Sequence, residues 1–168
     1  MNILFQRMIR AAKLDSNLYE EVEHDKTSLS QAMLVVLLSS IAAGIGAMSI
    51  KGGINLIAVA AAALIGWAVW ASIVYFIGVK LLPTPQTESN VGELLRTIGF
   101  SSSPGLIRIL GIIPGLFNVV SLIAQIWMLI AMVIAVRQAL DYESTGRAIL
   151  VCIIGWFIQA ALLMFLLR

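Results

Sequence analysis

Long uncharged runs alternate with short polar connections along this chain, and the runs have the length of membrane crossings. Leu29 to Ile50 carries no charge, which is enough for one crossing at about 1.5 Å per residue. A second uncharged run, Gly52 to Val79, predicts a span over 54–79 that tilts or runs into the interface. Two further runs predict spans over 115–136 and 148–167. Between them lie the turn Lys51-Gly52-Gly53, the loop Leu81–Gly92 with Pro83 and Pro85, and the polar connection Arg137–Arg147. Asn90 with Glu93 predicts a capping box for the helix that follows the loop, and Ser28 with Gln31 predicts one before the first long run.

One stretch fits this alternation badly. Thr97–Gly115 is apolar enough to enter a bilayer, yet it holds Pro104, Pro114, four glycines, the serines 101–103 and Arg108. A helix over 97–113 reaches only roughly 25 Å, barely a crossing. Five spans with a short, broken third and four spans with a re-entrant segment are both open on length. Charge placement separates them. With the N-terminus in the cytoplasm, five spans put Arg7, Arg10, Lys13, Lys26, Lys80, Arg96, Arg137 and Arg147 inside, against Lys51 and Arg168 outside. Four spans move Arg137 and Arg147 out and Arg168 in. The positive-inside bias selects five.

Residues 1–28 are the polar exception. Ile3, Leu4, Phe5, Met8 and Ile9 fall near one helical face, and Arg7, Arg10 and Lys13 gather on another. This predicts an amphipathic helix in the headgroup layer with its basic side toward anionic lipid, the alternative being a solvated helical tail. Spread charges and abundant acids argue against a signal peptide. Asp15, Glu20, Glu21, Glu23 and Asp25 read as a solvated acidic face, because the spacing and turn glycine of a calcium loop are missing.

Composition confirms the solvent. In 168 residues, 60% are hydrophobic and 12% charged, with a mean hydropathy of +0.98. A soluble domain of that size could not hide so much apolar surface. A net charge of +2 without a basic run excludes nucleic acid as a partner. Cys152 stands alone in an apolar run and His24 is the only histidine, so neither a disulfide nor a metal site is expected. Small residues at helix-packing intervals, Ser40 and Gly44 in the first span and Ala58, Ala62 and Gly66 in the second, predict close helix contacts within the bundle or with a second copy.

Chemistry is sparse. No histidine lies in any span to activate Ser101–Ser103, and a His-Glu-x-x-His pair and a phosphate-cradling glycine loop are both missing. Every Asp and Glu lies in a terminal segment or loop, which argues against proton- or sodium-coupled transport. Arg108 is the charge within the apolar zone, held at membrane depth or snorkelling to the outer interface, since Pro114 ends the helix soon afterwards. Its expected partners are the serines 101–103, Asn118, Gln125, carbonyls freed by the prolines, or a lipid phosphate. Arg137 and Asp141, four apart, pair along one face if the helix continues, and Arg147 follows on the same connection.

The segment ELLRTIGFSSSPGLIRILGIIPGL, with the later RQALDY and a tryptophan-bearing last run, resembles the bacterial branch of the Ypt- and Rab-interacting membrane protein (Yip) family from about residue 15 onward. Gly99, Phe100, Ser101 and Pro104 carry the likeness most specifically. The resemblance implies five spans, a cytoplasmic N-terminus, an all-helical bundle and no known enzymatic activity. It also implies kinship with eukaryotic proteins that bind Rab-type GTPases and shape membranes.

The expectation is therefore an all-α, polytopic membrane helical bundle: five transmembrane helices with a short, Pro/Gly-broken third, preceded by a cytoplasmic segment over 1–28. Its expected role is a non-enzymatic scaffold or adaptor in a bacterial inner or thylakoid-type membrane, without cofactor, touching lipids and a membrane or cytoplasmic protein partner. A small anion channel or lipid-binding protein built on Arg108 is the alternative. Candidate functional residues are Arg108, Ser101, Pro104, Pro114, Asn118, Arg137, Asp141 and Arg147.

Overall fold

The computed structural model describes residues 2–51 and 53–166, and among these residues the chain is helical with no strand. The helices are α1 (Ile3–Ala12), α2 (Ser16–His24), α3 (Ser28–Lys51), α4 (Leu56–Tyr75), α5 (Val91–Phe100), α6 (Phe117–Ala139) and α7 (Thr145–Leu166). A π-helical turn, Phe76–Leu81, prolongs α4, and a 3₁₀ helix, Ser103–Ile112, follows α5. Four stretches are long and apolar enough to cross a membrane: Ser28–Ile50, Leu56–Leu81, Phe117–Ala139 and Thr145–Phe165. Part of the turn expected at Lys51-Gly52-Gly53, and Arg168, lie outside the described residues.

The third segment differs from one helix over 97–113. It starts at Val91, under a capping box in which Asn90 and Glu93 each accept the other's backbone N–H. It then changes pitch at the serines. Pro104 has no N–H to give Phe100, four residues back, so that carbonyl would be orphaned in a buried place. The Ser103 hydroxyl supplies the missing donor at 2.8 Å, and Ser101 does the same for Ile98 at 2.7 Å. Beyond this point the chain continues as a 3₁₀ helix, which rises about 2.0 Å per residue against about 1.5 Å for an α-helix.

Close backbone contact then fixes the course of this segment. Gly99 lies against Ala32, Gly105 against Ser39, and Gly111 against Gly46, whose hydrogen face meets the Arg108 carbonyl. Ser49 donates to the Gly111 carbonyl at 2.7 Å. The matched order along both chains means that α5 and the 3₁₀ helix run beside α3 in the same direction. A methyl group on Gly46 would enter backbone atoms, so this crossing depends on glycine. The small residues of α4 behave differently. Ala58 and Ala62 are exposed, and nothing lies within 4 Å of where a side chain on Gly66 would begin.

Two apolar clusters hold the remaining elements. One joins α4, α5, α6 and α7 through Val74, Ile77, Ile98, Leu140 and Val151. The other seats the α1–α2 hairpin on the bundle: Met8, Ala11, Leu18, Tyr19 and Val22 pack with Val35, Phe100 and Ala135. Trp127, midway along α6, donates to the Ala12 carbonyl at 2.8 Å and pins the end of α1.

Candidate functional site

The expected residues divide between two places. Arg108 sits in the 3₁₀ helix, half-buried between α3 and the middle of α6. Its Nε donates to the Gly105 carbonyl at 3.1 Å, and one terminal nitrogen donates to the Ser39 hydroxyl at 2.9 Å and the Ser39 carbonyl at 3.3 Å. The expected acceptors Ser101–Ser103, Asn118 and Gln125 are not its partners. Ser101 and Ser103 satisfy α5 carbonyls instead, and Asn118 and Pro114 are exposed at the turn into α6. Ser39, the real partner, was unmarked in the sequence because only the fold brings α3 alongside. A guanidinium at this depth needs acceptors, and carbonyls and a hydroxyl provide them without a second charge. Pro104 is buried at the start of the 3₁₀ helix, where a missing N–H is tolerated. The family-like stretch Gly99-Phe100-Ser101-Pro104 is thereby accounted for as a helix contact, a core ring, a carbonyl cap and a change of pitch.

The second group gathers at the C-terminal end of α6, beside α2. Here α6 ends in a tight reversal: Asp141 takes a left-handed backbone (φ 51°), and the Tyr142 N–H returns to the Arg137 carbonyl at 2.9 Å. That reversal corrects the Arg137–Asp141 pair, which needed the helix to continue. Arg137 instead donates to the Tyr142 carbonyl at 3.2 Å and the Thr145 hydroxyl at 3.3 Å. Leu140 packs on Gly78, and the Tyr142 hydroxyl, with one proton to give, lies 3.1 Å from the Gly78 carbonyl and 2.8 Å from the Leu82 carbonyl. The RQALDY segment thus clamps the π turn of α4. Arg147 is exposed beyond it.

The basic side of α1 also turns out differently. Arg7, only 5% exposed, donates to Glu21 at 2.9 Å, Asp25 at 2.8 Å and Gln31 at 3.0 Å. Arg10 pairs with Asp15 and Glu21. These arginines face α2 rather than headgroups, because the hairpin folds α2's acids onto them. Gln31, bound to Arg7, does not complete a box with Ser28, whose hydroxyl caps the Val22 carbonyl at 2.9 Å. The hydrogen bond from Arg10 holds the Asp15 carboxyl below its ordinary range, and Thr27 and then Arg7 do so for Asp25. Burial works to raise Glu21, but Arg10 and Arg7 outweigh it.

Glu23 has no such partner. It is 5% exposed, its Oε2 makes no hydrogen bond, and Arg96 is committed to the Val22 and Glu23 carbonyls at the end of α2. Burial, reinforced by Asp141 and Glu93, pushes its carboxyl up to about 7. It lines a polar cavity of about 370 Å³ with His24, Glu88, Ser89, Asn90, Glu93 and Asp141. The Ser89 hydroxyl is likewise buried without a partner. The sequence concealed this site. Glu23 looks like one member of a solvated acidic face, and only the packing of α2 on α5 and α6 separates it from its neighbours.

Among the described residues no group of three His, Cys, Asp or Glu is placed to hold a metal ion. No curated protein and no solved structure matches the chain. A family model described as the Yip1 domain matches residues 16–167. With four membrane-length helices and a family match over nearly the whole chain, the molecule is a multi-pass integral membrane protein and belongs to the Yip1 domain family.

Proposed function

We propose that this chain is a non-enzymatic membrane scaffold or adaptor that crosses the bilayer five times and presents its polar end, α1–α2 with the 82–90 loop and the 140–144 turn, to the cytoplasm. The third crossing is α5 followed by the 3₁₀ helix. From Thr97, past the polar Glu93 and Arg96, four α-helical residues and ten 3₁₀ residues extend about 6 Å and about 20 Å, with Ser101 and Ser102 between them, against a hydrocarbon core of about 30 Å. The higher rise of the 3₁₀ half is what lets a short, broken segment reach across. The odd number of crossings also keeps Arg137 and Arg147 on the same side as Arg7, Arg10 and Lys13, in accord with the positive-inside rule.

The observation that carries the adaptor reading is the commitment of Arg108. Its hydrogen bonds go to Gly105 and Ser39, where they tie the 3₁₀ helix to α3, and its task is one of packing. Among the described residues, two buried polar groups left without partners, the Glu23 carboxyl and the Ser89 hydroxyl, line a polar cavity beside α2. Chloride flux from liposomes carrying the purified protein, with Arg108→Gln beside the wild type, tests the reading against the anion-channel alternative. The expected result is no flux above empty liposomes for either protein. Flux in the wild type that Arg108→Gln abolishes would replace the adaptor with a channel.

A further inference from the structure

The cavity floored by Glu23 has too many acceptors for its donors. The Glu23 carboxylate has one oxygen without a partner, and the Ser89 hydroxyl has none either. Around the mouth stand Glu88 and Glu93 from the loop and α5, Asp141 from the α6–α7 turn, and His24 from α2. Glu20 of α2 adds its charge from further off. Four cations near this end are used elsewhere: Arg7 and Arg10 on the acids of α2, Arg96 on two carbonyls, and Arg137 on the reversal. Three carboxylates at the rim and one beneath them therefore line this space, with His24 as the one basic group among its lining residues.

The occupant must bring positive charge and N–H donors. A bare metal ion fits poorly, since no three ligands converge and the volume is many times the ~30 Å³ that one water takes in the liquid. An amine lipid fits poorly too. All seven lining residues are polar, leaving no apolar wall beside the carboxylates for acyl chains. A slender side chain ending in a cation meets both conditions, because the rim acids Glu88, Glu93 and Asp141 can hold its head above the buried Glu23 carboxyl.

We propose that this cavity receives a single basic side chain, lysine or arginine, from a polypeptide partner that docks on the α1–α2 end of the bundle. The proposal rests on the adaptor reading and gives that partner a chemistry. Binding is linked to the proton on Glu23. An incoming cation favours the carboxylate, so the complex weakens as pH falls through the range near 7 where the empty site takes up its proton. Burial, Asp141, Glu93 and Glu20 oppose the proton's loss, and His24 favours it.

The test uses the full chain in phosphatidylcholine nanodiscs with tri-lysine as probe and tri-(Nε-acetyl-lysine) as control, read by thermophoresis at low salt. Tri-lysine should bind at pH 8 and the acetylated peptide should not. Glu23→Gln should weaken binding about tenfold or more, and the exposed rim change Glu88→Gln a few-fold. Wild-type affinity should fall about tenfold from pH 8 to pH 6; in a His24→Gln background, where the other group titrating in this interval is removed, Glu23→Gln should lose that dependence. Equal binding by wild type and Glu23→Gln would reduce the effect to surface charge and overturn the proposal. So would a response to ethanolamine-headgroup nanodiscs without any to the peptide. Photo-crosslinkers placed at Glu88 and at Glu143 in native membranes separate the two levels. Adducts at Glu143 alone leave the adaptor standing and remove the cavity from it, and adducts at neither remove the adaptor.

Discussion

Replacing Glu23 by Gln keeps the shape of the side chain and deletes its charge, so the pH at which the variant is compared with the wild type decides the outcome. The carboxyl ionises near 4.5 in an unfolded chain and at about 7 in the folded protein. Between those values the folded state holds a proton that the unfolded chain has released. Wild-type stability is therefore highest below this window and declines as pH rises through it. At about 1.4 kcal/mol per pH unit, the full cost above pH 7 is at most roughly 3 kcal/mol. The cavity opens to water, which screens part of the charge and leaves about 1–3 kcal/mol. For a chain of this size that corresponds to an apparent melting temperature about 2–10 °C higher for Glu23→Gln at pH 8. The two proteins should converge near pH 4.5. Scanning fluorimetry on the tryptophans of detergent-solubilised protein reads the difference, with the exposed Glu143→Gln as control. An equal shift at both pH values, or a variant less stable than wild type at pH 8, would refute the account of Glu23 as an unpaired buried acid.

Two other outcomes follow from the packing and the ion pairs. Gly46→Ala places a methyl against the Arg108 carbonyl and Gly111 and should lower the melting temperature in detergent through an overpacking cost of about 1–3 kcal/mol or more, whereas Gly66→Ala, with open space around it, should be neutral or slightly stabilising. As pH falls through the carboxylate range, Asp15, Glu21 and Asp25 lose the stabilisation that Arg7 and Arg10 give them, since their folded-state ionisation is held low. Hydrogen exchange in α1 and α2 should accelerate there before exchange in α3, and Arg10→Gln should remove the part of that acid sensitivity that comes from Asp15 and most of the part from Glu21.

Much of the fold was written in one dimension. Lipid as solvent follows from uncharged runs of crossing length, since hydropathy sums along the chain without regard to neighbours. The Asn90–Glu93 cap was legible because its two partners stand three residues apart. Pro104 and the serines announced a break for the same reason: the orphaned carbonyl and its replacement donor lie within one turn of each other. What the sequence could not contain is the partner of any charge whose neighbour comes from a distant element. Arg108 meets Ser39, and Arg7 meets Glu21 and Asp25, each because helices fold back at angles that no local spacing encodes. Glu23 is the sharpest case. It shares its sequence neighbourhood with four other acids, yet a single helical turn of difference in facing sends three of them to arginines and leaves Glu23 under α5 without a cation. Burial and pairing are properties of the space between elements, and that space exists only once α2 has docked.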